Sequence, residues 1–401
     1  MDPNHFQAYR KMLIAAMTAY IGYFFVLIHI ERYRNQILEL RAEARIEREE
    51  VRDKLMKKLR DDVECRNVIR MGPDVFRRLC AILRGTFRLR DNQYSCVEEQ
   101  VAKFLHVLSH NTRNRLLRFY FGRSLGTISC HFHRVLRAIV SVEDRLLLQP
   151  SDDCEIPKEI LLKRKFNPYF EKCIGAIDGT HIRVKVPKND AKRYRSRKQF
   201  PTMNNLVACS FDMKFTYVLA GWEGSAHDST VLQDALQRDD KLKIPRGRYY
   251  LADAGYALSP SFLTPYRATR YHLKEYSSRP PENSKELYNL RHSSLRNVVE
   301  RCIGVVKKRF PIIASGTEPS YDEDTVSDIF FACCMLHNFL MGVDPDERLI
   351  AEVDNELMHG EIESNRTVVS RSENYREGER IRDNIALRMW TDYNQRDALR
   401  I

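Results

Sequence analysis

Four acidic residues stand in settings suited to metal chemistry. Asp178 follows the apolar run Cys173-Ile174-Gly175-Ala176-Ile177 and precedes Gly179, and Asp253 follows Tyr249-Tyr250-Leu251-Ala252 and precedes Ala254-Gly255. Each reads as a strand end that delivers a carboxylate into a glycine turn, a rigid mount for a metal ligand. Glu300 lies in residues 295–308, whose spacing is helical. Arg296, Glu300 and Lys307 project to one side there, with Val299, Ile303 and Val306 packing beneath. Asp228 is a fourth acid, in the glycine-rich loop of residues 221–229, and His227 beside it is read as structural. Taken singly, a strand-end aspartate is ordinarily a turn former and a helical glutamate a solvated face. As a set they point to a metal site, because convergent carboxylates repel one another unless a cation lies between them. Oxygen donors select Mg²⁺ or Mn²⁺, and two such ions can clamp the attacking water and the leaving oxygen of a phosphodiester. Asp178 and Asp253 are expected to flank the metals and position the nucleophile, Glu300 to complete the coordination, and Asp228 to serve as an auxiliary ligand.

A phosphodiester substrate needs cations to hold it. Between the first two acids lies the densest basic stretch near the site: Lys185, Lys188, Lys192, Arg193, Arg195, Arg197 and Lys198. Lys and Arg together number 66 against 54 Asp and Glu, a formal net charge of +12 that suits a nucleic-acid partner without requiring one. The ten cysteines show no paired spacing of a zinc module, and a chain of 401 residues needs no disulfide framework, so reduced intracellular thiols are expected. Cys130, His131 and His133, like Cys333, Cys334 and His337, fall in apolar helical patterns and read as packing.

The elements that must position the acids are short β-rich runs at residues 173–177, 181–186, 206–212, 217–222 and 249–252, followed by helices over 284–310 and 325–340. This is an α/β unit over residues 165–340. Residues 68–150 form an all-helical unit before it, with Ser95 and Glu98 read as a capping box. Its last two helices, residues 112–121 and 125–140, meet at Gly122-Arg123-Ser124 in a helix-turn-helix-like pattern. Arg134 and Arg137 are the basic candidates for DNA contact there, beside Ser129, His131 and His133. Residues 341–401 are a charged tail with a final amphipathic stretch near residues 381–390, expected to be partly disordered.

Residues 1–67 hold a hydrophobic segment and a charged amphipathic helix. Residues 12–30 contain no acidic side chain, lysine or arginine, and no small-residue cleavage pattern follows them. Three readings stay open: a membrane anchor, a helix buried against the next domain, or a self-association helix that makes a homo-oligomer.

The acid motifs also carry a family likeness. CIGAIDGTHI around Asp178, GSAHDSTVL around Asp228, LADAGY around Asp253 and RNVVERCIGVVKKRF around Glu300 together resemble the PIF/Harbinger transposases and the nucleases derived from them. The likeness covers residues 68–340. It implies an RNase H-like DDE core, divalent-metal hydrolysis of DNA, nuclear location, and a separate Myb-like DNA-binding partner protein. Some domesticated relatives have lost the acids and serve as chromatin-associated scaffolds, which is the alternative reading; this chain retains all of them.

Overall fold

The computed structural model describes residues 3–92, 95–195, 200–271, 279–314, 316–359 and 373–398. It opens with α1 (Pro3–Lys58), a single helix of 56 residues and so about 84 Å long. The hydrophobic segment and the charged helix are thus one element, since no proline interrupts residues 4–58. Near its end Val51, Leu55 and Met56 pack on the protein core, while residues 12–30 stay exposed. That exposure excludes the reading in which this segment is buried against the next domain.

A helical unit follows: α2 (Asp62–Ile69), α3 (Pro73–Arg84), α4 (Val97–His110), α5 (Asn114–Phe121) and α6 (Leu125–Val140). Helix α4 is central, and α2, α3 and α6 pack on it. The capping box expected at Ser95 and Glu98 does not form. Cys96 is the N-cap residue, the Val97 amide donates to Asp91 Oδ1 (2.8 Å), and Glu98 pairs with Arg84 (3.0 Å). An aspartate and an arginine brought in by the preceding helix and loop outcompete the local motif. Helix α5 ends at Gly122, whose φ of 57° favours glycine, and Ser124 caps α6 by accepting from the Thr127 amide. Inside the unit Glu99 binds Arg123 (3.0 Å) and Lys103, all three buried. His131 lies beside them and is buried, and burial together with the neighbouring Lys103 pushes its imidazole down to about 4. His131 therefore packs as a neutral ring and cannot read DNA.

After two short turns, α7 (Glu143–Leu146) and α8 (Lys158–Leu161), the chain enters a sheet. Its elements are β1 (Cys173–Arg183), α9 (Ala191–Tyr194), β2 (Thr202–Cys209), β3 (Phe215–Glu223), α10 (Asp228–Gln237), β4 (Tyr249–Leu251) and β5 (Phe262–Leu263). Four helices complete the chain: α11 (Ser284–Arg309), α12 (Glu323–Val343), α13 (Glu347–His359) and α14 (Glu373–Ala398). The strand order is β3-β2-β1-β4-β5, with β1–β2 and β2–β3 antiparallel and β1–β4 and β4–β5 parallel. The protein is a mixed α/β structure.

Strand β1 is central, and it runs unbroken through Asp178 and Gly179, which pair with Val207 and Leu206 of β2. The expected turn at Gly179 is absent because the β2 pairing continues past it. Helix α11 packs on β1 and β2, and α12 packs on β3 and α6. One apolar core runs from the helical unit into the sheet, with Phe132 of α6 stacked on Tyr321 (centroids 4.7 Å apart). Asn338 of α12 secures the β3 edge. Its side chain accepts from the Phe215 amide and donates to the Phe215 carbonyl and to the Leu146 carbonyl, each at 2.7 Å.

Residues 347–359 and 373–398 of the predicted tail are helical. Val353, Ile385, Ala386 and Met389 are buried, and α13 and α14 pack along α11. Arg301 pairs with Asp354, and Arg382 lies over the Tyr266 ring (4.0 Å). Sparse apolar residues at helical spacing, hidden in a polar composition, order this region.

The β1–β2 pairing is tight at Gly175, where a Cβ would stand 2.0 Å from the Cys209 carbonyl oxygen. Gly175→Ala is expected to cost about 3 kcal/mol or more, as overpacking against backbone does, read from the urea unfolding midpoint.

Candidate active site

The parallel register of β1 and β4 sets the first two acids level. Ala176 pairs with Leu251, so Asp178 and Asp253 each lie two residues beyond the same rung. Asp178 is carried mid-strand, a correction to its expected place at a strand end. Asp253 lies past the end of β4, where its carboxylate accepts from the Ala254 amide. Glu300 is carried by α11, the helix that lies on β1.

Arg296, one turn before Glu300, ties these elements together. Its guanidinium donates to Asp178 Oδ2 (3.1 Å), to Glu300 Oε1 and, through Nε, to the Tyr271 hydroxyl (2.8 Å). Arg296 is buried and its guanidinium is held charged well above its ordinary value: burial acts against that, but Tyr271, Glu300, Asp178 and Asp253 outweigh it. Asp178 is pushed up to about 7, by burial first and then by the charges of Glu300 and Asp253, against the pull of Arg296 and of the Gly179 amide. Its carboxyl therefore sits where a further cation would stabilise the ionised form.

Asp228 is the first residue of α10, with His227 as its N-cap, rather than part of a loop. Its Oδ1 accepts from Asn204 Nδ2 of β2 (2.9 Å) and lies 2.8 Å from where a Cβ on Gly179 would project. Glycine at 179 thus serves close approach of Asp228 to the strand. Tyr256 lies beside this group, and burial first, then the charges of Asp228, Asp178 and Asp253, push its hydroxyl well above its ordinary value. The Tyr256 hydroxyl and Asn204 Oδ1 are buried without a hydrogen-bond partner among the described residues. Sequence reasoning missed Tyr271, Tyr256 and Asn204. Two signals were available: the pair Asn204-Asn205 inside an otherwise apolar strand, since buried amides in a strand need a reason, and Tyr256 at the end of the LADAGY run.

As they lie, no three His, Cys, Asp or Glu side chains among the described residues form a group that could hold a metal ion. The acids gather around Arg296 instead. The donor chemistry still fits a hard divalent cation: carboxylate oxygens, a carboxyl with a raised pKa, and orphaned polar oxygens where an ion's water ligands could bond.

The basic candidates divide into two places. Lys185, Lys188, Lys192, Arg193 and Arg195 are exposed on the connection from β1 to β2, with Arg193 already paired to Glu223. Arg197 and Lys198 lie outside the described residues. Arg134 and Arg137 are exposed on α6 in the helical unit, opposite its buried Phe132, Val135 and Leu136. Lys307, on the same helix as Glu300, donates to the His181 carbonyl of β1 (3.3 Å).

Residues 177–338 match the DDE superfamily endonuclease domain, a span that begins one residue before Asp178 and contains all four acids. The resemblance to Harbinger-derived DDE proteins therefore holds. Residues 51–141, which include the helical unit, match a domain of unknown function. "Protein ALP1-like" of Arabidopsis thaliana is 25% identical over 304 residues, covering 69% of this chain and 70% of its own length. Proteins named "Putative nuclease HARBI1" in Rattus norvegicus and Mus musculus are 29% and 30% identical over 222 residues, covering 54% of this chain and 59% of theirs. The match thus spans about three-fifths of the length of those nuclease-named relatives. No solved structure matches the chain.

In the segment that matches the DDE endonuclease domain, Arg296 is the cation that bridges Asp178 and Glu300. Arg296→Met is expected to lower stability in EDTA by about 3 kcal/mol, the usual cost of removing one partner from a buried pair. Mn²⁺ should restore more stability to this variant than to the wild type, as read by thermal unfolding at matched ion concentrations.

Proposed function

We propose that the chain is a divalent-metal-dependent DNA endonuclease of the transposase type, hydrolysing phosphodiester bonds at Asp178, Asp253 and Glu300. The observation that carries this reading is the register that sets Asp178 and Asp253 side by side, with Glu300 tied to Asp178 through Arg296. The strand order β3-β2-β1-β4-β5, with only the first two pairings antiparallel, supports an RNase H-like core.

Asp178, Asp253 and Glu300 would hold Mg²⁺ or Mn²⁺, with Asp228 turned toward the same place from α10. When bound, the metal supplies a Lewis acid and a more acidic water. The chain's own contribution is positional. Strand β1 and the β4 end fix two carboxylates on one rigid frame, and α11 brings the third against it. Arg296 holds Asp178 and Glu300 in place through its hydrogen bonds before metal arrives. Lys185, Lys188, Lys192 and Arg195 present cations to the phosphate backbone next to β1. Arg134 and Arg137 offer a second contact on α6, consistent with a helix-turn-helix-like role for the helical unit. Nuclear location and recruitment by a Myb-like partner belong to the same reading and rest on the family resemblance.

Purified protein is expected to nick or cut plasmid DNA with Mg²⁺ or Mn²⁺ and not in EDTA. Asp178→Ala and Asp253→Asn should each lower the rate by at least a hundredfold while leaving DNA affinity within about threefold. Unchanged cutting in both variants would remove the carboxylate assignment, and cutting absent from the wild type with binding retained would favour a scaffold. Arg134→Ala with Arg137→Ala should weaken DNA binding alike across sequences and flatten the salt dependence by about 0.9 in log–log slope per arginine lost.

A further inference from the structure

Residues 12–30 of α1 present apolar side chains to solvent on every side. Their large hydrophobic residues are 41–69% exposed, and the six successive residues Tyr23 to Ile28 cover more than a full turn of helix. Helix α12 is also long and apolar, but two-thirds of its most apolar window is buried in the protein core; the corresponding window of α1 is not buried at all. A helix that docks on a protein surface or pairs with a second copy needs one apolar face and keeps the other polar. This one has no polar face.

Its dimensions are those of a bilayer. Nineteen residues rise about 28 Å, close to the thickness of the hydrocarbon layer. Arg10 and Lys11 bound the run on one side and Glu31, Arg32 and Arg34 on the other. Tyr9 and Tyr33, both exposed, lie just outside its two ends, where tyrosines settle at a lipid–water interface. Over flanks of equal length, residues 31–41 carry three Lys or Arg (Arg32, Arg34, Arg41) against two (Arg10, Lys11) among residues 1–11. The positive-inside rule then orients the span, with the rest of the chain on the cytosolic or nucleoplasmic side.

We propose that residues 12–30 cross a lipid bilayer as the first part of α1. The same helix continues out of the membrane to Val51, Leu55 and Met56, which seat it on the protein core, so the DDE domain stands on a rigid stalk on the membrane side that holds DNA. The stalk section between is helical and richly charged, as a helix in water must be.

The test uses the full chain expressed in eukaryotic cells with an N-terminal epitope, beside the double variant Phe24→Lys/Leu27→Lys. The wild type is expected to sediment with membranes and resist extraction with alkaline carbonate, and the variant to be at least tenfold more abundant in the soluble fraction. The variant should melt at the wild-type temperature, because residues 12–30 are exposed along their length. In sealed vesicles, added protease should digest the chain beyond residue 31 and spare the epitope. Full-length protein in the soluble fraction, or release of the wild type by carbonate, would overturn the proposal. A soluble dimer dissociated by the double variant would also overturn it, and would assign the segment to a second copy of this chain. None of these readouts depends on nuclease activity, so the span and the catalytic reading stand or fall separately.

Discussion

The acidic end of the sheet depends on one guanidinium. Asp178 on the central strand and Glu300 on α11 are two acids brought together at a partly buried place, where a cation between them ties the helix to the strand. Arg296 supplies that cation from within α11 itself, one turn from Glu300, and Tyr271 fixes its remaining face. The arrangement is an ion-paired bridge from sheet to helix, in which a structural contact and the chemistry of the site are the same interaction. Among the described residues these acids form no cage for an ion, and Arg296 stands between Asp178 and Glu300 as the positive charge.

Around that bridge the fold fixes distances through backbone register. Parallel pairing of β1 and β4 makes Asp178 and Asp253 neighbours without any side-chain contact being required. Glycine at 179 lets the start of α10 approach β1 closely enough for Asp228 to face the same region. The α12 helix, through Asn338, closes the far edge of the sheet and joins it to the helical unit. The site is thus built on strands and helices, with only Asp253 on a turn, which suits chemistry that needs fixed carboxylates.

Much of this was legible in the sequence. The apolar runs before Asp178 and Asp253 marked buried strands, and the spacing of Val299 and Val306 marked buried positions of α11, whereas the side of Arg296 and Glu300 that read as projecting outward turns to β1, with Arg296 buried. What misled was local. Gly179 looked like a turn because glycine usually ends strands, whereas here it is needed for a close approach made by a residue 49 positions later in the chain. Ser95 and Glu98 had the spacing of a cap, but Asp91 and Arg84 reached the same groups from another element. Residues 341–401 looked like a charged tail because their composition is polar, and only the amphipathic stretch near residues 381–390 hinted at the helix α14 that packs on α11. Tyr271 and Asn204 carry no motif, Tyr256 only closes the LADAGY run, and the folded chain is what brings all three to the acids.

The account stands most directly on where a divalent ion binds. Anomalous diffraction from crystals of the wild-type protein soaked in Mn²⁺ would locate it. The predicted result is a peak within about 2.2 Å of carboxylate oxygens of Asp178 and Asp253, with Arg296 moved off at least one of its acidic partners. A Mn²⁺ peak elsewhere, or none at saturating ion with Arg296 still seated between Asp178 and Glu300, would contradict the metal-dependent nuclease and leave the acids as a structural ion-pair network.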